Sequence, residues 1–126
     1  MSLRLKRNDI TVLAGEDLSN YRGCAVQWSG TDNTKVVHWA SGAVLGILQN
    51  APQSGEPAEV AMAGGGAYAK MSTSNATLGL YFAADTGGVL TATTSAAAEV
   101  IAKNMEINTQ ANSLVEVELV KLFYHA

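Results

Sequence analysis

A chain of 126 residues has room for one domain and for a core that buries roughly two thirds of its unfolded surface. It is 48% hydrophobic and 15% charged, well under the roughly 25% charge of an average globular domain, and Ala, Gly, Ser and Thr fill the difference. Its one cysteine, two separated histidines and net charge of −3 exclude an internal disulfide, a metal site of usual ligand spacing and a nucleic-acid surface, since an acidic body repels phosphate.

The charge is unevenly placed. Arg4, Lys6 and Arg7 fall in the first seven residues, and the remaining five cations and eleven carboxylates leave the body at −6. Leu3, Arg4, Leu5, Lys6 and Arg7 alternate briefly before Asn8-Asp9, as an edge strand or an extended basic arm would. The chain therefore divides into an arm over residues 1–9 and a single β domain over 10–126. No apolar span of 18 residues predicts a membrane helix and no apolar segment after the basic start predicts a secretory signal, so synthesis in the cytoplasm is expected.

Ile10–Leu13 is a short β-prone run ended by Ala14-Gly15-Glu16-Asp17. Tyr21–Trp28 is the first good strand, with Cys24 as a small buried apolar residue within it. After the loop Ser29–Asn33, Lys35–Ala40 follows at hairpin distance, with Trp28 and Trp39 at the far ends of the hairpin and expected near each other. Val44, Leu45, Ile47 and Leu48 are too apolar for one-sided alternation and predict a strand covered on both faces, with Gly46 marking a bulge or a close backbone approach. Pro52 and Pro57, the only prolines, lie in the connection to the next strand, Ala58–Ala63.

Gly64-Gly65-Gly66 is a bend, followed by Ala67–Met71, a polar loop over Ser72–Thr77 and the strand Leu78–Ala83. Asp85-Thr86-Gly87-Gly88 is a turn, and Val89–Thr93 follows at hairpin spacing. Glu99–Ile107 suits a helical turn by Glu99 and Lys103 and a strand by Val100-Ile101. An internal echo favours strand: Val44-Leu45-Gly46 corresponds to Val100-Ile101-Ala102, and Ala58-Glu59-Val60 to Val115-Glu116-Val117. Leu114–Phe123 is the clearest strand, with Val115, Val117 and Leu119 on one face and Glu116 and Glu118 on the solvated one. Its alternation slips at Val120-Lys121, which predicts a bulge. Short strands with glycine-rich turns define an all-β class, a small barrel or sandwich.

Catalytic equipment is sparse. His38 lies near Ser41 and Asp32 in sequence, but no strand–turn–helix serine motif accompanies them, and a packed or surface histidine is expected. Gly64–Gly66 with Lys70 and Ser72 lacks the contiguous Gly-Lys-Ser of a phosphate loop, and no cofactor motif occurs. Asn75-Ala76-Thr77 fits a glycosylation sequon that is incidental without secretion. A non-enzymatic protein is expected.

In order and spacing, several segments carry a family resemblance: Leu18–Val26, Val44-Leu45-Gly46-Ile47-Leu48-Gln49-Asn50-Ala51-Pro52, Ser54-Gly55-Glu56, Ala58–Met62, Asp85–Val89 and Leu114–Leu119. The chain resembles the short all-β capsid decoration, or cement, proteins that stabilise the heads of tailed bacteriophages. Ala102 departs from the glycine usual in the second unit, and Met1–Asp9 and the tail Val120–Ala126 fall outside the pattern. The resemblance implies a virion protein that docks as a homotrimer on the outside of the shell of major capsid protein, with no cofactor and no membrane partner. Leu3, Arg4, Leu5, Lys6 and Arg7 are then the candidate contact with the capsid or a neighbouring protomer. Two other readings are a small carbohydrate-binding or adaptor module using Trp28 and Trp39, and a peptidase using Ser41 and His38.

Overall fold

The computed structural model describes residues 7–30, 34–41, 43–72, 81–92, 99–105 and 114–123. It is all-β, as expected. The first five strands are β1 (Asp9–Ala14), β2 (Ala25–Trp28), β3 (Lys35–His38), β4 (Gly46–Leu48) and β5 (Pro57–Ala61). They close a barrel in the order β1-β3-β2-β4-β5, with β5 returning antiparallel to β1 and β3 running parallel to it. The second five are β6 (Gly66–Lys70), β7 (Tyr81–Ala84), β8 (Leu90–Ala92), β9 (Glu99–Asn104) and β10 (Leu114–Phe123). They form a sheet in the order β6-β10-β9-β7-β8, and a parallel bridge from Met71 to Leu90 brings the end of β6 back against β8.

The two halves therefore have the same ring of neighbours, and their registers coincide. Leu13 faces Pro57 as Lys70 faces Leu114. Ile47 faces Ala61 as Lys103 faces Glu118, and Ala25 faces Ile47 as Tyr81 faces Lys103. Trp28 faces Val36 as Ala84 faces Leu90. Each strand maps onto its counterpart by a constant shift: 57 residues for β1 and β5, 56 for β2 and β4, 54 for β3. The shifts change only in loops, where insertions are tolerated. Even loop bonds repeat: Gly15 N–H donates to the Val36 carbonyl as Ser72 N–H does to that of Leu90. The echo in the sequence is the trace of this repeat, and it settles Glu99–Asn104 as strand.

Repeated positions fill the two interiors. Ala14, Val26, Val36, Ala58 and Val60 inside the first barrel correspond to Met71, Phe82, Leu90, Val115 and Val117 in the second core. Ala25, Ile47 and Ala61 turn outward from the barrel and join that second core. β4 thus lies between the two cores, with Ile47 in one and Leu48 in the other, both fully buried. Two-sided covering is the prediction made from its composition. Gly46 marks a close approach: a Cβ there would lie 2.2 Å from the Ala61 carbonyl oxygen and 2.7 Å from Val60 Cγ1.

Three local expectations change. Tyr21–Cys24 is a turn, and β2 begins only at Ala25. Gly23 has φ 85°, where the chain leaves extended geometry, and Cys24 N–H donates to the Tyr21 carbonyl at 2.9 Å. Trp28 and Trp39 do not meet: Trp28 faces Val36 beside the turn, while Trp39 N–H donates to the Ala25 carbonyl at the open end and its ring packs on the second core. Glu116 is only 9% exposed, not solvated. Of Leu78–Ala83, residues 78–80 lie outside the described residues, and β7 starts at Tyr81. The slip in β10 is observed as a register shift between Leu119 and Leu122.

Gly46→Ala is expected to cost about 2–3 kcal/mol by overpacking against backbone that cannot yield. Gly55→Ala, at φ 84° with no atom within 4 Å, is expected to cost about 1 kcal/mol through backbone conformation alone. Urea unfolding of both variants checks the order.

Candidate interaction surface

His38, which the sequence places near Ser41 and Asp32, is held by Glu16 and Tyr21. His38 Nδ1 lies 2.5 Å from Glu16 Oε2, and the His38 backbone N–H donates to the same oxygen at 2.8 Å. The Tyr21 ring stacks on the imidazole with centroids 4.8 Å apart and planes 11° from parallel. The histidine thus closes the loop Gly15–Tyr21 onto β3, and it is Glu16 that it faces. Asp32 lies outside the described residues, as does the sequon Asn75-Ala76-Thr77. Among the described residues no group of three His, Cys, Asp or Glu side chains is placed to hold a metal, and no helix is long and apolar enough to cross a membrane.

Cys24 is buried, and desolvation pushes its thiol above the ordinary range, with Lys70 pulling weakly the other way. Asp17 is fully exposed, and hydrogen bonds from Ser19 hold its carboxyl below the ordinary range.

Of the proposed contact residues, Leu3, Arg4, Leu5 and Lys6 lie outside the described residues. Arg7 is folded onto the body. Its Nη2 donates to Asp9 Oδ2 at 2.9 Å and to Gln49 Oε1 at 3.1 Å. An exposed pair of this kind contributes little by itself. Gln49 carries more of the geometry: Oε1 also accepts the Tyr68 N–H at 3.1 Å, and Nε2 donates to the Tyr68 carbonyl at 3.0 Å. A side-chain amide thus pairs the free edge of β6 as a strand would, and joins the two repeats. The sequence reading took Gln49 only as part of a motif. No local pattern reveals this role, because Tyr68 is 19 residues away.

Among the described residues the exposed large apolar side chains are Leu13, Trp28, Tyr68 and Leu114. Three of them stand on matching strand pairs: Leu13 on β1 beside exposed Pro57 of β5, and Tyr68 and Leu114 on β6 and β10. The equivalent corners differ in character: Leu13 and Pro57 of the first repeat stand where the second has Lys70 and Leu114. Trp28 stays at the surface without Trp39, which removes the paired-tryptophan platform a glycan would use.

The class defined by these features is an all-β protein of two repeated five-strand units whose exposed apolar groups sit on strand faces. A solved structure of similar fold is the head fiber gp8.5 N base of bacteriophage phi29, with a TM-score of 0.62 at 18% sequence identity, over 93% of this chain and 98% of that one. At that identity the likeness establishes a common fold. No protein-family profile and no curated protein sequence matches the chain.

The burial of Cys24 predicts that the native thiol resists a disulfide reagent such as DTNB at mildly alkaline pH and reacts fully only when denaturant is added. Rapid stoichiometric labelling of the native protein would contradict it. Gln49→Ala is expected to lower stability by about 0.5–1 kcal/mol through the lost bonds to Tyr68, whose exposed groups water then satisfies, and to raise amide exchange in β6 before β1; hydrogen-exchange measurements read both.

Proposed function

We propose that the protein is a structural component of a phage virion, which binds the outer surface of the assembled capsid as a homotrimer and stabilises the shell of major capsid protein. The observation that carries this reading is the match, over nearly the whole length of both chains, to the base of a phage head fiber. The order of sequence segments resembling capsid decoration proteins supports it from a separate direction. A surface of small, neutral side chains loses little conformational entropy on contact, and the equivalent corners of the two repeats, apolar at Leu13 and Pro57 and mixed at Lys70 and Leu114, give each protomer two places to hold. Three linked protomers multiply weak contacts, raising overall affinity by about 10²–10⁴. On this reading the protein acts by contact and catalyses nothing, and the arm Met1–Arg7 supplies part of the hold through Leu3, Arg4, Leu5 and Lys6. Arg7 adds to it by fixing the arm's root to Asp9 and Gln49.

The expected solution mass is three times 13.1 kDa, measured by light scattering; a strict monomer would count against the trimer. Added to capsids stripped of accessory proteins, the full chain is expected to co-sediment and to raise their disruption temperature. A chain lacking Met1–Arg7 is expected to bind less, with the deficit largest at low salt. Equal occupancy at every salt concentration removes the arm's role, and no co-sedimentation of the full chain removes the proposal.

A further inference from the structure

We propose that the open groove between the turn Ser19–Arg22 and the β6–β10 pair is a docking site for an acidic, partly apolar segment of a partner protein. The groove, of about 310 Å³, is lined by Ser19, Asn20, Arg22, Lys70 and Leu114. Its walls are held in place by backbone bonds. Lys70 N–H donates to the Gly23 carbonyl at 2.7 Å, and Gly23 N–H donates to that of Leu48 at 2.7 Å. Gly23 also lets the turn lie against β10, since a Cβ there would come within 2.4 Å of Leu114 Cδ2.

Two cations line this groove, and neither is ion-paired to a described residue. The ion pairs among the described residues are Arg7–Asp9 and His38–Glu16. Asp17, on the same loop, accepts the Ser19 N–H through Oδ1 and is not among the lining residues. Glu116, across from Tyr68 on β10, is buried. Beside the cations, Leu114 is 38% exposed, and Tyr68, two residues before Lys70 on the same face of β6, is 43% exposed. Cationic forks and an ammonium bind carboxylates through charge-assisted hydrogen bonds, while the exposed leucine and tyrosine suit apolar side chains next to those carboxylates.

The repeat supplies an internal comparison. The positions of Lys70 and Leu114 are held in the first half by Leu13 and Pro57, a pair without charge. The basic character therefore belongs to the second repeat's corner and is not a requirement of the fold. A phosphate polymer is disfavoured because the groove offers two cations, too few to hold a run of phosphates. A free small anion would leave Leu114 and Tyr68 unused.

The test uses the full chain and a fluorescein-labelled peptide, Glu-Leu-Asp-Leu-Glu. Saturable binding is expected at low salt and weakened at high salt, with the largest amide chemical-shift changes at Ser19, Asn20, Lys70 and Leu114. The surface variant R22Q/K70Q, with its melting temperature unchanged, is expected to bind at least about tenfold more weakly. Leu114→Ser is expected to weaken the peptide but not glutarate. The proposal is overturned if the peptide does not saturate, if the shifts fall elsewhere, or if R22Q/K70Q binds equally well. It is equally overturned if glutarate alone binds as tightly as the peptide, or if an oligo-dT strand occupies the groove more tightly.

Discussion

The structure depends on the two-sided burial of β4. A strand of three residues makes few hydrogen bonds, so its place is decided by what covers it. Leu48 is part of the interior of the first barrel, and Ile47 is part of the second core. Gly46 lets β5 approach where any side chain would strike the Ala61 carbonyl. Because Ile47 lies fully buried among residues of the second half, the barrel and the following sheet share apolar surface that neither could expose at low cost. Gln49, immediately after β4, extends the same junction in polar form by pairing with Tyr68 of β6.

Around that junction the chain repeats itself. Equal ring order and equal register in the two halves mean that one five-strand plan is used twice, with different side chains in the same places. The first interior is built with Ala14, Val26 and Val36, the second with the larger Met71, Phe82 and Leu90. Among the described residues the second ring meets itself in one bridge, Met71 to Leu90, where the first makes a continuous closure from β5 to β1 to β3. The outward corners have diverged too, apolar at Leu13 and Pro57, mixed at Lys70 and Leu114. A duplicated plan with divergent faces suits a protein that must meet more than one surface with a single small chain.

How much was legible in advance varies with the range of the signal. Glycine-rich turns and alternation located most strands, and the doubly apolar character of Val44–Leu48 already pointed to burial on both faces. The slip at Val120-Lys121 correctly marked the register shift of β10. The place of Arg7 was not legible in this way: it is bonded to Asp9 and Gln49, a partnership that depends on β5 pairing with both β1 and β4. The turn at Tyr21–Cys24 was read as strand because its side chains are β-prone, whereas its backbone follows Gly23 and the packing of Leu114 against it.

Sequence by itself determined the class, the strand positions, the lone buried cysteine and, through the echo between Val44–Val60 and Val100–Val117, the existence of two related units. These are properties of single strands and turns, written in alternation, β-branching and glycine placement over a few consecutive residues. Only the tertiary structure decided that β1 closes the barrel against both β3 and β5, that His38 serves Glu16, that Trp28 and Trp39 stand apart, and that Arg22, Lys70 and Leu114 line one groove. Those facts follow from which distant strands share a register. A strand's own sequence leaves its partners open, because backbone hydrogen bonds are alike for every residue and only the joint packing of both cores selects one arrangement.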